Sequence, residues 1–223
     1  MAGIGVKLNN IYGKRTLTTN IIGMGYSTVM TIAPMLTVIG ALCIMEHFLG
    51  FDSVGYATRE LFSCTVLYIF IFSLLTASPF NSVLSKYMSD IIYEETFEDI
   101  LPCYYVGMIL NITFSALFGI PFCIHEYLVG NVDIIYVFTG YCGFVALVLV
   151  FYSMLYLSIG KDYKKISFFF MIGMAVTVLL SFLFVKVIHM SITYGMLLAL
   201  AIGFWLIACL EFALIRSYFR ENS

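Results

Sequence analysis

The sequence predicts an all-α integral membrane protein, a bundle of six transmembrane helices. Six stretches contain no Asp, Glu, Lys or Arg, and each is long enough to cross a bilayer. Hydrophobic residues make up 62% of the 223 and charged residues only 11%, where a soluble domain carries about 25% charge. The mean hydropathy is +1.02. The runs are continuously apolar and lack the alternating segments of ~10 residues that mark the strands of a membrane barrel.

The six stretches are Thr16–Met45, Leu61–Ser85, Ile100–His125, Ile134–Gly160, Ile166–Val185 and Val187–Leu210. A helix rises ~1.5 Å per residue and the hydrocarbon core is ~30 Å thick, so about 20 mostly apolar residues span it. The first stretch is too long for the core of a cleavable signal peptide, and no small-residue cleavage site closes it. Pro34 lies inside helix 1 and Pro79 near the end of helix 2. Each removes a backbone donor and crowds the preceding turn, so both helices are expected to bend. After helix 2 the segment SKYMSDIIYEETFED reads as a helical extension and then an acidic turn. Leu84, Met88, Ile91, Ile92 and Ile100 fall near helical spacing, with Ser85, Lys86, Ser89 and Asp90 on another face. Pro102 suits the start of helix 3, and Pro121 lies near its end. Ser115/Gly119 and Ala199/Gly203 are small-residue pairs that let helices approach closely, within the bundle or at a dimer face. The chain thus divides into an amphipathic N-terminal segment at 1–19, a six-helix lobe at 20–217 and a tail at 218–223.

Orientation follows from Lys and Arg, which gather on the cytoplasmic side of membrane proteins. Of the 11, nine fall on one side: Lys7, Lys14, Arg15, Lys86, Lys161, Lys164, Lys165, Arg216 and Arg220. Arg59 and Lys186 fall on the other. Both termini are therefore expected in the cytoplasm.

The motifs of soluble chemistry are sparse. The six cysteines form no C-x-x-C pair and read as small packing residues, so zinc and redox chemistry have no support. There is no phosphate loop, H-E-x-x-H or G-x-S-x-G, and nothing indicates a cofactor or a nucleic-acid partner. His47 and Asp52 match the H-x4-D spacing of some acyltransferases, a pattern that recurs often by chance. His125-Glu126 is a similar pair with no third partner, and the Asn111-Ile-Thr113 sequon lies inside helix 3. Ionisable groups inside a membrane are expensive and point to function. Lys186 and Glu211 are both close enough to a helix end to reach the surface. No acidic residue sits mid-membrane, which argues against a carboxylate proton relay. The remaining polar candidates are Lys86 and Asp90, four residues apart and able to pair, and Asn81 and Asn111, able to line a cavity or bond a neighbouring helix.

Several segments together resemble the PelG-type exporters of the Pel exopolysaccharide system. The opening MAGIG leads into a short amphipathic stretch, as in that family. FSLLTASPFNSVLSKYMSDIIYEETFEDILP resembles its second helix and following loop through Pro79, Phe80, Lys86, Tyr87, Asp90, Tyr93, Glu94, Ile100, Leu101 and Pro102. The family often has Arg where this chain has Lys86. Lys161-Asp162-Tyr163 leading into helix 5 is a third match. The resemblance runs in order along essentially the whole chain. It implies a fold of the multidrug/oligosaccharidyl-lipid/polysaccharide (MOP) flippase superfamily, which has about twelve helices in two lobes. This chain corresponds to the N-terminal lobe, so a fragment, a split protein needing a second chain, or a homodimer is expected, in that order. The resemblance further implies export of an amino-sugar-rich polysaccharide across the bacterial plasma membrane, in biofilm formation. The implied partners are a cytosolic glycosyltransferase and a cyclic-di-GMP-responsive membrane subunit. Lys86, Asp90, Asn81 and Asn111 would then border the substrate path or its gate. A non-transporting scaffold subunit of a polysaccharide synthase and a membrane acyltransferase are the alternatives.

Overall fold

In a computed structural model of the protein, residues 17–94, 99–159 and 162–220 are described. Six long helices follow in order: α1 Leu17–Leu49, α2 Tyr56–Glu94, α3 Ile100–Leu128, α4 Ile134–Ile159, α5 Tyr163–Phe182 and α6 Ile192–Arg220. Each contains a stretch long and apolar enough to cross a membrane. No strand occurs among the described residues, and the chain is an all-α membrane bundle. The turns are short, so successive helices alternate in direction. The end bearing the α2–α3 and α4–α5 turns and the close of α6 carries most of the Lys and Arg and is called here the basic end.

Several helices run past the charge-free stretches because charged residues are tolerated where a helix leaves the membrane, whereas α6 starts at Ile192, five residues inside the stretch that opens at Val187. α1 continues to Leu49 and stops at Gly50, whose φ of 73° suits the left-handed position that ends helices. A short 3-10 turn, Phe51–Ser53, reverses the chain, with Phe51 buried edge-on against Phe62 at 5.5 Å. α2 then starts at Tyr56, five residues before the charge-free run, because the Gly55 carbonyl accepts from the amides of Thr58 and Arg59. Its far end carries the expected extension to Glu94, while the acidic turn lies outside the described residues. α5 closes in a π turn, Leu183–Val187, and Lys186 in it is exposed. α6 extends to Arg220.

Helix α4 is the hub. It packs most extensively on α6 and α2 and then on α3, α5 packs on α6, and α1 lies mainly against α5. Every residue from Phe144 to Val150 is buried, as a helix surrounded on all sides requires. In lipid, helices gain little from apolar burial, and close packing and hydrogen bonds hold them instead. The small residues serve that role inside the bundle. A Cβ on Gly203 would stand 1.8 Å from Thr177 Oγ1 and 3.0 Å from the Gly173 carbonyl, so α5 and α6 meet backbone to backbone. Ser115 is fully buried, and Gly119 faces Tyr141 and Phe144.

Polar contacts pin α6 at both ends. Tyr194 donates to Asp133 Oδ2 at 2.7 Å, reaching the α3–α4 turn. At the basic end Tyr218 donates to Asp162, and Lys165 bonds Tyr218 and lies 3.7 Å from Asp162. Asp162, from the sequence segment that enters α5, therefore ties the α4–α5 turn to the end of α6.

Candidate functional site

Between α2, α3 and α4, in the half away from the basic end, lies a cavity of about 430 Å3. Its walls are aromatic, with Tyr68 and Phe72 from α2, Phe118 and Phe122 from α3, and Tyr141 and Phe144 from α4. Glu126, at the end of α3, is its one charged lining residue. Toward the basic end the cavity stops at Phe114, whose ring meets Phe80 at 5.4 Å.

Beyond that floor the same three helices close on one another around buried polar groups. Gly107 of α3 is the contact point. A Cβ there would stand 2.0 Å from the Tyr152 hydroxyl and 2.8 Å from Leu84 Cδ1. Only glycine lets α4's tyrosine and α2's leucine meet on the α3 backbone. Tyr152 donates to the Tyr104 carbonyl at 3.1 Å, and its ring stacks on Tyr104 at 5.4 Å. With that proton committed, the Tyr152 oxygen accepts from Tyr156 at 3.0 Å. Tyr156 also lies 3.7 Å from Cys103 Sγ, and the Tyr104 hydroxyl pairs with Ser153 at 2.7 Å. Phe212 of α6 packs against Tyr104 and Tyr105, at 6.2 and 6.1 Å between ring centroids.

Among the described residues, three side chains in this region keep oxygens without a hydrogen-bond partner. Asn111 is fully buried and donates to the Gly107 carbonyl at 2.9 Å, but its Oδ1 has no partner. Asn81, half-buried on α2, reaches the Phe151 carbonyl at 3.4 Å, and its Oδ1 too is unpartnered. The third is Glu211. Its sequence position near the end of α6 suggested that it would reach the surface, and the structure corrects that reading. Glu211 is fully buried, and neither carboxyl oxygen has a hydrogen-bond partner. The cause is helical phase. Phe204, Ile207, Ala208, Glu211 and Ile215 repeat at helical spacing and all are buried, so Glu211 belongs to the face turned into the bundle. An ionised carboxylate so placed costs several kcal/mol unless something compensates it.

The other sequence candidates fall elsewhere. Lys86 and Asp90 are exposed on the α2 extension, and no ion pair joins them among the described residues. Pro34 and Pro79 lie inside α1 and α2, each helical on both sides of the proline. His47 is exposed, and Asp52 is bonded to Arg59 at 3.4 Å rather than to His47, so the acyltransferase dyad is not assembled. His125 pairs with its neighbour Glu126 at 3.3 Å.

A six-helix bundle with an aromatic cavity above a closed layer of buried polar groups defines the class as a multi-pass membrane protein. The chain is a member of the PelG family. That family's model, "PelG: Putative exopolysaccharide Exporter (EPS-E)", matches residues 1–223, the whole chain. No curated protein and no solved structure matches it.

Proposed function

We propose that the chain forms one six-helix lobe of a two-lobe, MOP-type exporter that carries an amino-sugar-rich exopolysaccharide across the plasma membrane. The whole-chain PelG match carries this reading. Helix α3 supports it. It is the least covered of the six spans, with 17% of its residues buried, and it borders the aromatic cavity that a second lobe would close. A lobe with both ends on one side of the membrane pairs with a parallel repeat about an axis along the membrane normal. In that assembly the aromatic faces would take the C–H faces of sugar rings, and the free Asn81 and Asn111 oxygens would accept hydroxyl hydrogen bonds. A cytosolic glycosyltransferase and a cyclic-di-GMP-responsive membrane subunit would deliver the polymer at the basic end.

The test is deletion of the gene in the producing cell, with polymer measured inside and outside. An exporter leaves polymer or its precursor inside and none outside. Loss of polymer in both places would favour the scaffold and count against transport.

The basic end faces the cytoplasm in this reading. Cysteines introduced at positions 161–165 are expected to resist a membrane-impermeant thiol reagent in intact cells, and those at 129–133 to react. Labelling of 161–165 from outside would reverse the orientation.

The α2 extension would act as a cytoplasmic gate or docking point. Lys86→Ala and Asp90→Ala are each expected to lower export severalfold at normal membrane levels. A surface pair at this spacing is worth only about 0.2–0.5 kcal/mol, so lost stability would not account for such a fall. Normal export by both variants would make the segment ordinary surface.

Pro34 and Pro79 would bend their helices. At Pro79 the Leu75 carbonyl loses its main-chain donor. Pro79→Ala is therefore expected to lengthen the distance between spin labels at the two ends of α2, and an unchanged distance would remove the bend.

A further inference from the structure

Glu211 is the one Asp, Glu, Lys or Arg among the described residues that is buried. It stands five residues before Arg216, about 7.5 Å of rise from the basic end at ~1.5 Å per residue. Among the described residues, titratable side chains stand on each of the helices packed against this part of α6. α3 carries Cys103, Tyr104 and Tyr105, and α4 carries Tyr152 and Tyr156. α5 carries Tyr163, Lys164 and Lys165, and the end of α2 carries Lys86, Tyr87 and Asp90. Lys86, Asp90, Lys164 and Lys165 are exposed, and Lys165 is engaged with Tyr218 and Asp162. The hydroxyls of Tyr104, Tyr152 and Tyr156 are taken by one another, by Ser153 and by the Tyr104 carbonyl. Among the described residues no cation and no donor is hydrogen-bonded to either Glu211 oxygen.

A carboxylate in such surroundings needs a proton, a metal ion or new donors. A metal ion needs several ligands at once. Among the described residues no three His, Cys, Asp or Glu side chains come together to supply them. A proton needs only the carboxyl itself.

We propose that Glu211 is a proton-binding site, neutral while α6 is closed against α3 and α4 and ionised when movement of α6 admits water from the basic end. On opening, the carboxyl O–H bond breaks, the proton passes to water and the oxygen keeps the electron pair. The closed layer around Tyr104 and Tyr152 is the packing that such a movement would part. Proton binding stands on the geometry of Glu211. Its use to drive polymer movement rests on the export function proposed above.

Two measurements test this separately. In infrared spectra of the purified protein in lipid nanodiscs, a protonated-carboxyl C=O band is expected to fall as pH rises, to be absent from Glu211→Gln and to shift in Glu211→Asp. A wild type without that band, or variants that leave it unchanged, would overturn the proposal. In inverted membrane vesicles, a proton gradient is expected to stimulate polymer movement by the wild type and not by Glu211→Gln, whose side chain copies the neutral acid. Equal stimulation of both, no stimulation of the wild type, or drive by a sodium gradient alone would overturn the coupling. A band that titrates in a protein that moves no polymer would uphold the proton site and count against the export reading.

Discussion

Gly203→Leu is expected to prevent the folded protein from accumulating. Even a single Cβ at this position would lie 1.8 Å from Thr177 Oγ1 and 3.0 Å from the Gly173 carbonyl. The second obstacle is backbone, which cannot rotate away as a side-chain tip does. Thr177 is itself buried and bonded to the Gly173 carbonyl at 2.9 Å, so moving it breaks a hydrogen bond in the same contact. Overpacking of a core typically costs about 1–3 kcal/mol. Here the two helices must also separate along α5 and α6, one of the most extensive contacts of the bundle. Gly203→Ala is expected to lower the thermal midpoint in detergent and Gly203→Leu to leave no monodisperse protein. A leucine variant that melts with the wild type would show that α5 and α6 do not meet here.

Gly107→Ala is expected to abolish export with a smaller loss of stability. The added carbon would stand 2.0 Å from the Tyr152 hydroxyl and 2.7 Å from its Cζ. Tyr152 has little room to give, because it stacks on Tyr104 and bonds to the Tyr104 carbonyl and to Tyr156. Displacing it leaves buried polar groups unpaired, at about 1–3 kcal/mol for each. It also opens the layer that separates the aromatic cavity from the basic end. Removing the offending hydroxyl should relieve part of the clash, so Gly107→Ala combined with Tyr152→Phe is expected to fold better than the sum of the two single changes allows. Additive effects on the thermal midpoint would mean that the residues do not touch. Export by Gly107→Ala at the wild-type rate would remove the layer from the function.

The six helices were legible because the requirement for long uncharged runs is severe and the chain meets it six times. Asn81 and Asn111 stood out for the same reason, as polar side chains inside apolar runs. The helix ends were less legible. Arg59 and Glu60 broke the second run although α2 passes through both, since a charge near the membrane surface does not end a helix. The buried face of α6 could not be read at all. A membrane helix is apolar on every side, so hydrophobic periodicity does not show which side faces its neighbours. Glu211 was therefore placed by its distance from the helix end, when its phase with Phe204, Ala208 and Ile215 decides its surroundings. The tyrosine cluster was invisible for a related reason. Tyr104, Tyr152 and Tyr156 counted as apolar residues in apolar runs, and only their convergence on Gly107 and Ser153 turns them into a polar layer. Asp162 lay in a segment recognised by resemblance, and its contact with Tyr218, 56 positions away in sequence, depends on the folded bundle.

The proposed movement of polysaccharide by this bundle can be measured directly. The most direct measurement is uptake of a labelled amino-sugar oligosaccharide by proteoliposomes containing the complete exporter purified from its native membrane. The expected result is uptake that saturates with substrate, is absent from protein-free vesicles and is lost with Gly107→Ala. Uptake no greater than that of protein-free vesicles, by protein that restores polymer secretion when returned to cells, would contradict it.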